Sequence, residues 1–483
     1  MCICCKNNTF NFSRTLHIAS CNNIRTIKGF PFVKQIICYN CPLLVDIQLP
    51  SLTYIYIRNC PLLKDLNSLK RLKSMNIDFY SPNITARYSC VYIHGNVDHI
   101  DTLHATKLYI YSENLTSIKV SHVTKQLRIS SDKIVSLPDM PNLKNLSCDG
   151  CTALRQLPYN LQSLEELRCS DTSIEIVNSQ LPKLKILLCR NSIINKIESD
   201  IPKLKRLDIY GNSFICKLPD NLNALKYLNC SRTNINAINL YPNLRKLECS
   251  HTLITELPDF KRLKVLNCNN TQITSIKHYK YLTILYCYGT LIERLPKFDY
   301  LDFLNCNSTN ITYVPLLKKV RYIDCSNSPI TLIESINSLE VLICKNSLIK
   351  ELPFFKKLLH LDCSNTLIES LNIPKLNTLL CDDCPRLTYL CPTHKHLKYL
   401  NELQCTRTNN IVYPRSLNVT YCTKNDSLLC IRMPYIKMYY KFSTNVVELY
   451  KKNLRRNNII LNIELLKCKI LSDILYNYVS YFI

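Results

Sequence analysis

Glycine is scarce in this chain. Its 483 residues include five, Gly29, Gly95, Gly150, Gly211 and Gly289. No two of them lie close enough to build a backbone cradle for phosphate, which excludes the Walker and dinucleotide-binding fingerprints. Tryptophan is absent. No run of about 18 apolar residues occurs, so no transmembrane helix is expected. The opening, Met1-Cys-Ile-Cys-Cys-Lys-Asn-Asn, has no apolar stretch of the kind a secretory signal needs. Sequons such as Asn11-Phe-Ser13 therefore carry little weight, and Cys2, Cys4 and Cys5 read as a frayed terminus or an acylation cluster. His-Glu-x-x-His and Gly-x-Ser-x-Gly are missing, and the ten histidines are scattered. The expectation is a non-enzyme without a cofactor.

What the chain has in excess is cysteine, 28 in all. Eight return at a spacing of nineteen: Cys230, Cys249, Cys268, Cys287, Cys306, Cys325, Cys344 and Cys363. Each sits in one frame, as in Leu244-Arg-Lys-Leu247-Glu-Cys249-Ser-His-Thr252-Leu-Ile254-Thr-Glu-Leu257-Pro258. A fixed period near 20 residues is the mark of a solenoid, in which each unit buries its apolar side only against its neighbours. Projecting the frame outward gives a register residue for every unit: Ile18, Cys38, Ile57, Ile77, Ile93, Ile110, Ile129, Cys148, Cys169, Cys189 and Ile209, then the regular eight, then Cys381, Cys405 and Cys422. Within a unit, Leu228 and Cys230 alternate with Tyr227, Asn229 and Ser231, the period of a strand with one buried face. Strands of successive units must run parallel. The return path is about a dozen residues long and often carries Leu-Pro, as at Leu257-Pro258, Leu295-Pro296 and Leu352-Pro353, too short for a packed helix. Thr252, Thr271 and their equivalents stand where the chain leaves the sheet, placed to satisfy backbone groups there.

This placement decides what the cysteines are. Those at the register position, with Cys21, Cys41, Cys60, Cys151 and Cys384 three residues further on, point inward. Paired strands are spaced roughly 4.8 Å apart. Stacked side chains at that spacing have parallel Cβ directions, which suits a column of thiols and not disulfides. The expected environment is therefore reducing, cytoplasmic or nuclear. One cluster, Cys381, Cys384, Cys391, His394 and His396, has ligand types compatible with zinc. Irregular packing is the competing reading, since Cys381 and Cys384 point inward in any case.

The frame resembles that of leucine-rich-repeat (LRR) proteins over roughly residues 14–425, with Cys at the usual third-Leu position and Thr or Ser at the usual Asn position. The short Leu-Pro unit is similar to the bacterial effector type. The Cys-Ser-x-Thr variants (Cys230-Ser-Arg-Thr233, Cys249-Ser-His-Thr252), rich Ile, Lys, Asn and Tyr, and missing Trp resemble the LRR proteins of giant DNA viruses of amoebae. The resemblance implies a leucine-rich-repeat horseshoe with a curved parallel β-sheet on its concave face, an extended or irregular convex side and a viral protein acting in a host cell. It is nearly silent on function. Some relatives add a ubiquitin-ligase domain or an F-box; the 58 residues after 425 and the first 15 are too few for either. The expected organisation is divergent repeats over 1–130, regular repeats over 131–425 and a helical cap over 426–483. In the cap, Asn445-Val-Val-Glu448 opens one helix and Asn462 to Tyr478 forms another.

Function then falls to the concave face, the usual ligand surface of a solenoid. The residue before each register position gives Asp208, Asn229, Glu248, Asn267, Tyr286, Asn305, Asp324 and Asp362. Two residues further back stand Tyr227, Phe303, Tyr322 and His360, and just after the register residue come Tyr210 and Tyr288. Tyr and Phe with few charges suit a protein partner; β-favouring side chains on a solvated strand face are the plainer alternative. The net charge of +25 collects four residues before the register, at Lys144, Lys185, Lys205, Lys226, Arg245 and Lys264, with Glu165 interrupting. This basic rim either follows nucleic-acid phosphates or an anionic surface or is an ordinary solvated edge. Protein binding by a monomer is the favoured reading, without a membrane, and nucleic-acid binding the alternative. If Cys306 is core, Cys306→Asp should lower stability by several kcal/mol while Cys306→Val is tolerated; equal shifts in thermal denaturation would contradict burial.

Overall fold

A computed structural model of the protein describes residues 14–390, except 64–65, 67–68, 70, 79–86, 96, 199, 374–375, 377 and 388, together with the strands Glu402–Gln404 and Cys422–Thr423. The expected helical cap, Cys2, Cys4, Cys5, Cys391, His394, His396 and Cys405 lie outside the described residues. One sheet of 22 strands runs from Thr15–Ala19 to Cys422–Thr423. The strands pair unit by unit, all parallel. Ile18 lies opposite Cys38, Cys38 opposite Ile57, Ile77 opposite Ile93, Ile93 opposite Ile110 and Ile110 opposite Ile129. The irregular early units thus keep the expected register. From Leu146 to Leu379 the strand leucines continue it, Leu228 opposite Leu247 and Leu247 opposite Leu266. At the far end the expected register is corrected. Cys422 pairs with Leu403, where it was expected opposite Cys405. A slip of two residues preserves strand alternation, so the sequence pattern does not distinguish the two pairings.

Strands alternate buried and half-buried residues, and the inward column holds the register side chains. Cys148, Cys169, Cys189, Ile209 and Cys230 to Cys363 are fully buried, as is Cys381. All the described cysteines are free thiols. Burial pushes the Cys230 and Cys268 thiols up to about 12, so they stay protonated and behave as small hydrophobes.

The polar groups at the sheet's exit are satisfied in a repeated way. Thr252, Thr271, Thr290 and Thr309 each donate a hydroxyl hydrogen bond of 2.7 Å to the carbonyl of the cysteine three residues earlier. At two positions where Ser or Asn replaces Thr, a bond reaches the preceding unit: Ser328 to the Cys306 carbonyl at 3.0 Å, and Asn212 to the Cys189 carbonyl at 2.6 Å. One residue before the Thr, the backbone turns through the left-handed region. Arg232, His251, Asn270, Ser308, Asn327, Asn346 and Asn365 have φ between 51° and 56°, and Gly289 has φ 64°. Four of the five glycines stand at this position, Gly95, Gly150, Gly211 and Gly289. Asn and Asp fill many of the others because their short polar side chains tolerate that conformation. Asn side chains also bond from unit to unit here, Asn346 to Asn327 at 2.6 Å and Asn365 to Asn346 at 2.8 Å.

The convex side is extended, as its prolines require, and no helix occurs among the described residues. Short parallel pairs bridge it, such as Tyr313–Val314 with Leu332–Ile333. Its interior is filled by a column that includes Tyr241, Phe260, Tyr279, Phe298 and Phe355, all buried. The two tyrosines keep their hydroxyls satisfied by donating to the Pro219 and Pro258 carbonyls at 2.9 and 3.0 Å. These rings occupy the space that a packed helix would otherwise fill.

The turn geometry generates a paired test. In Gly289→Ala the new Cβ would meet Asn270 Oδ1, on a backbone that disfavours any side chain. Denaturation should show a loss of about 1–2 kcal/mol. Ser308→Gly, at the same position one unit on, should be neutral or stabilising.

Candidate functional site

The sheet brings part of the expected aromatic set into contact. Tyr286, Phe303 and Tyr322 come from adjacent strands; Phe303 is the direct register partner of Tyr322, and Tyr286 that of Asn305. Tyr286 and Phe303 have ring centroids 4.8 Å apart at 44°, and Phe303 and Tyr322 are stacked at 4.5 Å and 4°. Tyr322 is not exposed as expected. Phe303 covers one of its faces, and 5% of it is accessible. The stack is therefore a rigid block that offers Tyr286 and Phe303 to solvent. His360 is half-buried two strands beyond, with Val341 between.

The other expected aromatics each have polar or charged neighbours of their own. Tyr227 lies between two cations, with Arg206 4.6 Å and Lys246 5.3 Å from its ring centre. Its hydroxyl donates to Glu248 at 2.8 Å, and Lys246 pairs with the same carboxylate at 2.7 Å. Burial and the Glu248 charge push the Tyr227 phenol well up. Tyr210 is approached by the Arg232 guanidinium at 5.9 Å. Tyr288 accepts a hydrogen bond from Asn270 Nδ2 at 3.0 Å. Cation–π contacts of this kind hold the Tyr227 and Tyr210 rings in place.

The polar strip between the clusters is less available than its sequence implies. Asp208 is fully buried and pairs with Arg190 at 2.6 Å; Asn229 is buried too. In Asn229, Asn267, Asn305, Asp324 and Asp362 a side-chain oxygen accepts the backbone N–H two residues on, at 3.1–3.2 Å. The strand ends there, so this side chain caps an amide at the turn. These residues do structural work with one oxygen and face the groove with what remains.

A second aromatic group lies on the same face in the early units and was missed by the sequence reading. Tyr92 stacks on Tyr109 at 4.5 Å and 8°, and His94 on Tyr111 at 4.9 Å and 15°. Arg58 approaches Tyr56 at 5.6 Å and Arg128 approaches Tyr111 at 5.8 Å. The signal was present, since these residues flank Ile57, Ile93 and Ile110 as Tyr286 and Tyr288 flank Cys287.

The basic residues four before the register stack from strand to strand. Consecutive members are joined through their backbones: the N–H of Lys205 donates to the Lys185 carbonyl, Lys226 to Lys205, Arg245 to Lys226 and Lys264 to Arg245, at 2.8–2.9 Å. Lys144, Lys205, Lys226, Arg245 and Lys264 are exposed. Lys185 is half-buried and pairs with Glu165 at 2.5 Å. That hydrogen bond and the Lys185 charge hold the Glu165 carboxyl below the usual carboxylate range. The rim loses its cationic character further on, where Arg321 pairs with Asp302. Cys381 and Cys384 are buried in the core.

Residues 242–281 match the family model described as Leucine Rich repeats (2 copies). Similar solved structures include the functional domain of InlJ from Listeria monocytogenes, which includes a cysteine ladder, at 22% identity and a TM-score of 0.48. That match covers 59% of this chain and 64% of the InlJ chain, less than two thirds of its length. YopM from Yersinia enterocolitica WA-314 is similar at 18% identity and a TM-score of 0.49, covering 86% of this chain and 91% of that one. No curated protein matches the chain. The described chain is a parallel β-solenoid of stacked coils, and its residues 242–281 match leucine-rich repeats, which commonly mediate protein–protein interaction. Among the described residues no helix is long and apolar enough to cross a membrane.

Phe303→Ala removes two ring contacts at once, each worth about 0.5–1.5 kcal/mol beyond burial. It should lower the melting temperature clearly more than Tyr288→Ala, and equal shifts would show that the stack is not a unit.

Proposed function

We propose that this chain is a non-enzymatic scaffold that binds a protein through its concave face, around Tyr286 and Phe303. The observation that carries the reading is the Tyr286–Phe303–Tyr322 stack, whose rings are 4.8 and 4.5 Å apart. Aromatic side chains already fixed by stacking lose little freedom on binding, which is what makes such residues strong anchors. Tyr288 beside Tyr286, Tyr210 and Tyr227 on earlier strands, and His360 two strands beyond Tyr322 extend it with polar contacts. The stacked free thiols favour a reducing compartment, the cytoplasm of the cell in which the protein acts. The resemblance to LRR proteins of giant DNA viruses makes that a host cell and the partner a host protein, bound by a monomer.

A second reading is favoured by one observation, the run of exposed cations from Lys205 to Lys264 joined strand to strand. Cations repeated at about 4.8 Å can follow an anionic polymer or surface. A pair of variants separates the two. Tyr286→Ala with Phe303→Ala should reduce recovery of a protein partner at least about tenfold, and Lys205→Glu with Lys226→Glu should leave it intact. Loss of binding only in the lysine variant, with a steep salt dependence, would instead support the basic rim.

A further inference from the structure

Three cysteine sulfurs meet inside the early repeats, in an arrangement the regular repeats do not have. In several of the described units the register residue, the residue three positions on and its counterpart in the next unit come together. Around Cys306 these are Thr309 and Ser328; both hydroxyls bond the Cys306 carbonyl, at 2.7 and 3.0 Å. Around Cys363 they are Thr366 and Cys384, 3.6 Å apart. Around Cys38 they are Cys41 and Cys60, so all three corners are sulfur. The three Sγ atoms all lie within 4.8 Å of one another, and Cys38 and Cys60 are separated by 3.9 Å. Exposure is 0%, 0% and 1% for Cys38, Cys41 and Cys60. The thiols of Cys41 and Cys60 make long contacts to carbonyls, 3.6 and 3.4 Å to Tyr39 and Arg58. Threonine in this place would make a short hydroxyl bond, as it does throughout the regular units.

We infer that Cys38, Cys41 and Cys60 form a three-thiolate site for a thiophilic d10 metal ion, with Cu(I) as its ligand. A metal about 2.3 Å from three sulfurs in one plane separates them by about 4.0 Å, and tetrahedral angles give about 3.8 Å. The Cys38–Cys60 separation already matches such an edge, and the two separations to Cys41, both within 4.8 Å, need only a small side-chain shift. All-sulfur coordination in a dry, apolar setting selects soft ions over Mg(II), Ca(II) or Mn(II). Zinc in structural sites takes four ligands; three sulfurs lie within 4.8 Å of one another here, with Cys21, a neighbour of Cys41, outside that cluster, which favours an ion stable with three. Binding converts three thiols to thiolates and releases three protons; no electron is transferred. The site lies in the second and third repeats, far along the sheet from Tyr286, so it stands or falls independently of the concave-face reading.

The test uses the full chain, reduced and anaerobic, equilibrated with Cu(I) buffered by a competing chelator and then desalted. About one copper per chain should remain on the wild type and on a Cys148→Ala/Cys151→Ala control, and under about 0.2 on Cys38→Ala/Cys41→Ala/Cys60→Ala. Circular dichroism reports whether each variant is folded. X-ray absorption of the loaded wild type needs no variant, and should show three sulfurs at about 2.3 Å. Equal retention by a folded triple variant, no retention by the wild type, a two-sulfur copper site, or four-sulfur zinc displacing copper would each overturn the inference.

Discussion

No coil of this protein can bury its own apolar side. Each covers the coil before it and is covered by the one after, at the spacing of hydrogen-bonded parallel strands. That single constraint sets the rest. The side chain at the register position must be apolar, narrow and repeatable, and a protonated thiol meets all three requirements. Both Cys and Ile occupy this position along the chain, in blocks, without interrupting the sheet.

The constraint also explains where the polar chemistry goes. Stacking leaves the chain's exit from each strand with backbone groups that must be paired inside. Thr252 and its equivalents satisfy the carbonyl of the register residue, and Asn229, Asn267 and Asp324 satisfy the amide just beyond it. The left-handed turn between them fixes the direction in which the chain leaves. Residues that look like a recognition strip in the sequence are thus partly committed to the fold. What remains for recognition are side chains with no backbone duty, chiefly the rings at Tyr286 and Phe303 and the cations outside the sheet.

Much of the fold was legible because the period is strict. The nineteen-residue spacing fixed the inward face, and the register it implied persisted through units only 16 and 17 residues long, from Ile77 to Ile110. It failed at Cys422, since alternation is blind to a two-residue slip. The candidate site was legible as a set of positions and not as contacts. That Phe303 would stack flat on Tyr322 and bury it depends on side-chain rotamers, and that Tyr227 would lie between Arg206 and Lys246 depends on neighbours in two other units. The rings at Tyr92 and Tyr109 were overlooked because the frame around them is irregular. The Cys38, Cys41 and Cys60 cluster needs the third dimension, since Cys60 comes from the next unit, 22 residues after Cys38.

The central claim is that partner recognition sits on the concave face at the aromatic stack and not on the basic rim or the convex side. Hydroxyl-radical footprinting of the complex with a captured protein tests it most directly, because aromatic side chains report their own exposure. The account predicts protection of Tyr286 and Phe303, with the exposed convex Tyr313 unchanged. Protection confined to the convex side, or to the edge carrying Lys205, Lys226 and Lys264, would contradict it.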